Sequence, residues 1–290
     1  NTGGEPEVIQ KVWDDNLADV RGFIGRYLDV ETHDMLQSFG RAFILKHEEL
    51  LRRRIRERRI RDGHGDLHCE HICFAPEGIQ IFDCIEFSPK LRYGDVASEV
   101  AFLMMDMELR GADFLARQFL ERYVELTKDP ELSMLLPYFK CHRALVRGKV
   151  TALRSRVFSQ QAAQYFDYAR RLIWGAWKPT LVLIGGLSGS GKSTLSRALS
   201  ERTGWPVVSS DATRKDLAGI SGRQDRVAYG EGIYSASMSE MTYQNMAEQA
   251  EAFLARGQSV ILDATFLRGA QRERMSELAG KKGVPILLIW

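Results

Sequence analysis

The stretch LVLIGGLSGSGKSTLSRAL, residues 181 to 199, constrains the fold of this chain more than any other. A short apolar run of strand type passes through glycines into a segment of helical spacing. Gly186 is followed by four residues and then by Gly191, Lys192 and Ser193, the pattern of a phosphate-binding loop between a strand and a helix. Glycines let successive backbone N–H groups turn inward around a phosphate, and the helix N-terminus adds partial positive charge. Lys192 would reach the outer phosphates, and the Ser193 hydroxyl would ligate Mg2+. Gly186, Ser188, Gly189, Ser190, Gly191, Lys192, Ser193 and Thr194 are therefore the candidate cradle for ATP.

The residues around the loop fit that frame. From Leu181 the pattern predicts a strand (181–185), a helix (about 192–202), a strand (206–209), helices (about 211–218 and 234–256), a strand (259–263), a helix (about 268–281) and a strand (284–290). Strands alternating with helices imply a parallel sheet with right-handed crossovers. VVSSDATRKDL places Asp211 just after the second strand, with Arg214 one turn further on. A carboxylate there can orient or deprotonate an attacking hydroxyl, and an arginine can align the acceptor. Asp211 capping the helix is the plainer alternative. SVILDATF ends a strand at Asp263, a second candidate for the magnesium shell with Ser193.

The earlier part of the chain reads as helical. Apolar periodicity predicts helices over about 5–28 and 31–60, the second ending at Gly63, and four more over about 96–109, 113–128, 130–157 and 160–174. HICF, the turn APEG and IQIFDCI predict a β-hairpin. At 290 residues two domains are expected, since single cores stop growing near about 250–300 residues. GAWKPT (175–180) is the natural boundary, giving domains 1–177 and 178–290 in a chain that is α/β overall. The segment RRRIRERRIRDG holds seven arginines. It reads as a solvated helix face with interleaved acids; a nucleic-acid surface is the alternative, though no aromatic residues alternate with the charges.

Just before the hairpin stands HGDLHCEHIC, residues 64–73. Three histidines and two cysteines suggest zinc, but Cys69 and Cys73 lack the paired short spacing of Cys/His zinc sites. The alternative centres on Asp66. HGDLHCEH resembles the catalytic loop of the aminoglycoside phosphotransferase family, whose fold is that of protein kinases. That resemblance implies Asp66 as the carboxylate that orients an acceptor hydroxyl, and Asp83 in IFDCIEF as a magnesium ligand. It also implies Asp95 in LRYGDVASEVAFL as the helix start behind the loop. His71 stands where the family has a magnesium-binding Asn, and imidazole suits that hard cation poorly. Residues 1–63 do not read as a kinase N-terminal lobe, so a C-lobe alone is expected.

The later half resembles small P-loop kinases of the zeta-toxin and polynucleotide-kinase type, within the AAA class of ATP-binding proteins. The pairing of both halves is similar to bacterial bifunctional proteins with a phosphotransferase-like domain followed by a P-loop kinase. What this implies is an ATP- and Mg2+-dependent kinase acting on a hydroxyl of a small molecule or a nucleic-acid end. A nucleotide-dependent regulatory or RNA-binding module is the rival. A net charge of +2 argues for neither. There is no apolar run long enough for a membrane span, and four cysteines are too few for a disulfide framework, so a cytoplasmic protein is expected. The chain opens without Met and closes on the strand-like GVPILLIW, which leads us to expect a piece of a longer protein, without the lid such kinases carry.

Overall fold

The computed structural model describes residues 2–155, 157–175, 179–219 and 235–290, in two compact units, Asn1–Ile173 and Trp174–Trp290. The expected boundary at 177/178 and the start of the helix expected at 234 lie outside the described residues.

The first unit is built around one buried helix. Its elements are α1 (Pro6–Val20), α2 (Val30–Arg56), β1 (Ile60–Asp62), β2 (Ile72–Ala75), β3 (Gly78–Ile81), α3 (Pro89–Arg92), β4 (Tyr93–Asp95), α4 (Val96–Leu109), α5 (Asp113–Thr127), α6 (Leu132–Arg154) and α7 (Gln160–Gly175). In α4, Ala97 and all of residues 100–106 are buried, so α4 is a core helix rather than an amphipathic one. It packs on α5 and α6. Asp95 caps it, its carboxylate accepting from Ala97 N at 2.8 Å. On the other side of α6, the Trp13 ring of α1 stacks on Tyr138 with centroids 4.7 Å apart. Gly40 lets α2 approach that ring, since a Cβ there would lie 2.2 Å from Trp13 Nε1.

Two expected helices end early. Apolar spacing runs to Leu28, but α1 stops at Val20 in a 3-10 turn, Arg21–Phe23, and Gly25 then takes φ +83°. The second ends at Arg56 rather than at Gly63, because Arg58 adopts φ +58° and turns the chain away. Residues 60–62 then pair antiparallel with Tyr93–Asp95, Ile60 opposite Asp95.

The arginine run is only in part a solvated face: Arg56, Arg58 and Arg61 are exposed, and the other four are engaged. Arg54 is 1% exposed and binds Asp95 at 2.7 and 2.8 Å and Asp129 at 2.7 and 2.9 Å. Arg52 pairs with Glu5, Glu7 and Glu48, and Arg53 with Glu131. Arg59 donates to the carbonyls of Thr127 and Lys128. These contacts tie the end of α2 to α1, α4 and the α5–α6 turn.

The second unit comprises β5 (Leu181–Ile184), α8 (Lys192–Thr203), β6 (Val207–Ser209), α9 (Ser210–Leu217), α10 (Ala236–Ala255), β7 (Val260–Asp263), α11 (Gly269–Lys282) and β8 (Ile286–Ile289). The strands form one parallel sheet in the order β6-β7-β5-β8. Leu181 and Leu183 join a core with Tyr243, Met246 and Phe266, while Val182 and Ile184 join Ile261, Leu199 and Trp205 on the opposite face. Burial on both faces is why β5 reads as an unbroken apolar run. Each such side chain contributes about 1.5–3 kcal/mol of burial free energy.

Candidate functional site

The register of the sheet sets the site. Ile184 pairs with both Asp263 and Ile289, and Asp263 pairs with Ser209, so the carboxyl ends of all four strands finish in one row. In open α/β sheets, ligands bind beyond that edge. The loop leaving β5 takes positive φ at Gly186 (+128°), Gly189 (+80°) and Gly191 (+87°). At Gly186 a side chain is excluded twice, by that φ and by Ser190 Oγ 3.0 Å from where a Cβ would sit. Gly186 N donates to Thr265 O at 3.1 Å, which fastens the loop to the segment after β7. Gly191 has no side chain to cap α8, so the first N–H groups of that helix stay open to a ligand.

Beyond the loop lies a cleft of about 960 Å3. It brings together Lys192 and Ser193 from α8, Asp211 and Arg214 from α9, and Asp263 at the end of β7. Ser188 and Gly189 also line it, whereas Gly186, Ser190, Gly191 and Thr194 do not. Lys192 Nζ is folded back and donates to Leu187 O at 2.5 Å. Asp263 is 5% exposed, while Asp211 is exposed and accepts from Lys215 Nζ at 2.7 Å. The cap of α9 is Ser209, whose Oγ accepts from Asp211 N at 3.3 Å; Asp211 itself is left for other work.

Sequence reasoning missed the third wall, made by Tyr243, Thr265, Arg268 and Gln271. Tyr243 Oη lies 3.2 Å from Thr265 Oγ1 and accepts from Phe266 N at 3.2 Å. Phe266 sits at φ +48°, and Arg272 Nη1 donates to its carbonyl at 2.5 Å. The rule that ligands bind beyond strand ends would have pointed to this loop after β7.

The histidine-rich loop of the first unit is held from behind by helices. Gly65 N donates to Glu99 Oε1 of α4 at 3.1 Å, and Gly65 O accepts from Arg143 Nη1 of α6 at 2.8 Å. Arg143 also donates to Ser98 Oγ at 3.1 Å and lies over the Phe102 ring. Further along, Cys69 N donates to Asp106 Oδ2 at 2.9 Å. Within the loop, His64 Nε2 contacts Phe82 O at 2.7 Å and His64 Nδ1 accepts from Asp66 N at 3.3 Å. The Asp66 carboxylate lies 3.5 Å from Nε2 of the buried His68. A hydrogen bond from His68 holds the Asp66 carboxyl below the usual range, against burial acting the other way. His71 bridges Asp66 and Asp83: Nδ1 is 2.9 Å from Asp66 O, and Nε2 is 3.2 Å from Asp83 Oδ2.

The cysteines stand apart from this cluster as ligands. Cys73 and Cys84 are exposed, and burial, with Asp106 beside it, pushes the Cys69 thiol up to about 11. Among the described residues, the His, Cys, Asp and Glu side chains close enough together to hold a metal ion are Asp66, His68 and His71. A cysteine-based zinc site is thus absent among them.

Residues 181–290 match a family model described as an AAA domain. Over 277 residues the chain is 33% identical to uncharacterised proteins of Mycobacterium tuberculosis and Mycobacterium bovis, an alignment covering 92% of this chain and 54% of each relative. The chain spans about half the length of the curated relatives it matches. Among solved structures, a candidate kinase from Chloroflexus aurantiacus aligns with TM-score 0.33 and 26% identity over 39% of this chain and 57% of that one. The APS kinase of Mycobacterium tuberculosis aligns with TM-score 0.30 and 21% identity over 38% of this chain and 73% of that one. No helix among the described residues is long and apolar enough to cross a membrane. Loop, sheet and family match together make the second unit a P-loop domain suited to holding the phosphates of a nucleotide.

Proposed function

We propose that the chain is an ATP-dependent phosphotransferase whose P-loop unit moves the γ-phosphate to a hydroxyl of a small molecule or a nucleic-acid end. The observation that carries this reading is the convergence of Lys192, Ser193, Asp211, Arg214 and Asp263 on one cleft beyond the strand ends. The open N–H groups of α8 and the glycine loop take the phosphates, and Lys192 exchanges its contact with Leu187 O for phosphate oxygens. Ser193 and Asp263 offer the oxygen donors that Mg2+ prefers, so these residues fit the ion. Bound there, Mg2+ offsets the charge of the phosphate oxygens. Asp211 orients the acceptor hydroxyl and receives its proton as the new P–O bond forms and ADP departs; Arg214 aligns the two reactants.

For the first unit we propose an aminoglycoside phosphotransferase-like C-lobe, with Asp66 as its candidate acceptor-side carboxylate and domains divided near 177/178. For the RNA-binding alternative, Arg56, Arg58 and Arg61 are the exposed arginines, while Arg52, Arg53, Arg54 and Arg59 pair within the unit.

Calorimetric titration of MgATP tests the reading. The whole chain should bind nucleotide, and Lys192→Ala should weaken binding by about tenfold or more, the worth of a charge-assisted contact to phosphate. Asp83→Ala should leave that binding as it is. Equal affinity in the chain and in Lys192→Ala would remove the P-loop from the account.

A further inference from the structure

The loop at residues 64–71 has a donor set that does not match the metal its resemblance implies. Of the three side chains that converge, two are imidazoles and one is a carboxylate. Magnesium takes oxygen ligands in near-ideal octahedral geometry, whereas imidazole belongs to zinc, cobalt and iron. We propose that Asp66, His68 and His71 form a site for a divalent transition-metal ion, with Asp83 at its edge, and that this site discriminates against Mg2+.

Four observations carry this. One ligand atom from each of the three residues lies within 4.8 Å of the other two, so small side-chain rotations close the triangle on an ion. The N···O separations, 3.5 Å for His68–Asp66 and 3.2 Å for His71–Asp83, are close to those of two ligands on one ion. With metal–ligand bonds of about 2.1 Å, adjacent donors stand about 3.0 Å apart at a right angle and about 3.4 Å apart in a tetrahedron.

The third observation is the placing of the His71 ring. Asp66 O can only accept, so Nδ1 donates to it, and Nε2 is the nitrogen left to serve as a ligand, 3.2 Å from the Asp83 carboxylate. Fourth, the donors are preorganised. His68 is 3% exposed, its ring centroid lies 3.9 Å from that of His71, and the flanking backbone is fixed by Glu99, Arg143 and Asp106. Arg147 also faces Asp66, while the second carboxylate, Asp83, adds the negative charge that offsets it.

The test is equilibrium titration of Zn2+ into the whole chain after chelator treatment, read by a competing zinc indicator, with the Co2+ absorption spectrum as a second readout. The proposal predicts one Zn2+ per chain, not displaced by millimolar Mg2+. It predicts affinity reduced by about tenfold or more in His71→Asn and in the near-isosteric Asp66→Asn. Lys192→Ala should bind Zn2+ like the unaltered chain, which separates this site from the P-loop, and Cys73→Ser with Cys84→Ser should also leave it unchanged. The proposal is overturned by any of three results: no Zn2+ bound, displacement by Mg2+, or undiminished affinity in both His71→Asn and Asp66→Asn. Loss of binding in the double cysteine variant alone would overturn it too.

Discussion

Residues 186–192 of the second unit and residues 64–71 of the first are both tight loops carrying candidate chemistry, yet they are held in different ways. The first of these keeps its shape through its own backbone, with positive φ at three glycines and one hydrogen bond to Thr265 O. The other depends on side chains from distant helices: Glu99 and Asp106 on α4, and Arg143 on α6. A loop held by its own glycines can be recognised in a line of sequence. The loop at 64–71 could be matched by its motif, but the remote carboxylates and arginine that hold it declare themselves only after folding. The contrast extends to titration, since all six histidines, from His33 to His142, belong to the first unit.

The strongest way to separate the two units is through Arg54. Replacing it with Met leaves Asp95 buried without its cation and Asp129 with Arg59 alone at 3.7 Å, a change that costs about 3–5 kcal/mol. Asp95 also caps α4, so the damage reaches the core helix. Thermal melts of Arg54→Met should show the first unit unfolding at markedly lower temperature, with MgATP binding by the second unit retained below that transition. Loss of both together would mean the units do not fold independently.

A smaller effect comes from acid. His142 is half-buried, with its Nε2 buried and lacking a partner, and burial pushes its pKa down to about 3, helped by Arg143 and Lys149. Below its ordinary value near 6.5 the unfolded chain takes up a proton that the folded chain refuses. The stabilising contribution is therefore complete above that pH and is lost as pH falls toward 3, by about 1.4 kcal/mol per unit. His142→Phe should flatten the acid limb of the first unit's stability between pH 6.5 and 4, where the unaltered chain declines. Equal slopes would move the acid sensitivity to other groups.

What could be read beforehand follows the same division. The helices at 113–127 and 160–175 carry local periodicity, and β5 and β7 are short apolar runs, so local pattern was enough to find them. Strands β1 and β4 have three residues each and exist through one another, so neither has a local pattern to read. Arg54 is one arginine among seven on paper, and only the arrival of Asp95 and Asp129 sets it apart. Lys192, Asp211 and Asp263 could be nominated from spacing after strands, while Tyr243 and Gln271 enter the cleft from helices without a motif. His71 and Asp83 were suggested by resemblance, but their contact depends on the hairpin register, with Ile72 opposite Ile81.

The central claim, phosphoryl transfer on the P-loop unit, is tested most directly by following γ-labelled ATP with Mg2+ and a panel of hydroxyl acceptors. The account predicts label leaving ATP in the unaltered chain, at a rate that falls by about a hundredfold in Asp211→Asn, the low end of what a positioned proton acceptor contributes. MgATP affinity in that variant should be unchanged. Transfer that proceeds equally fast in Asp211→Asn would contradict the account.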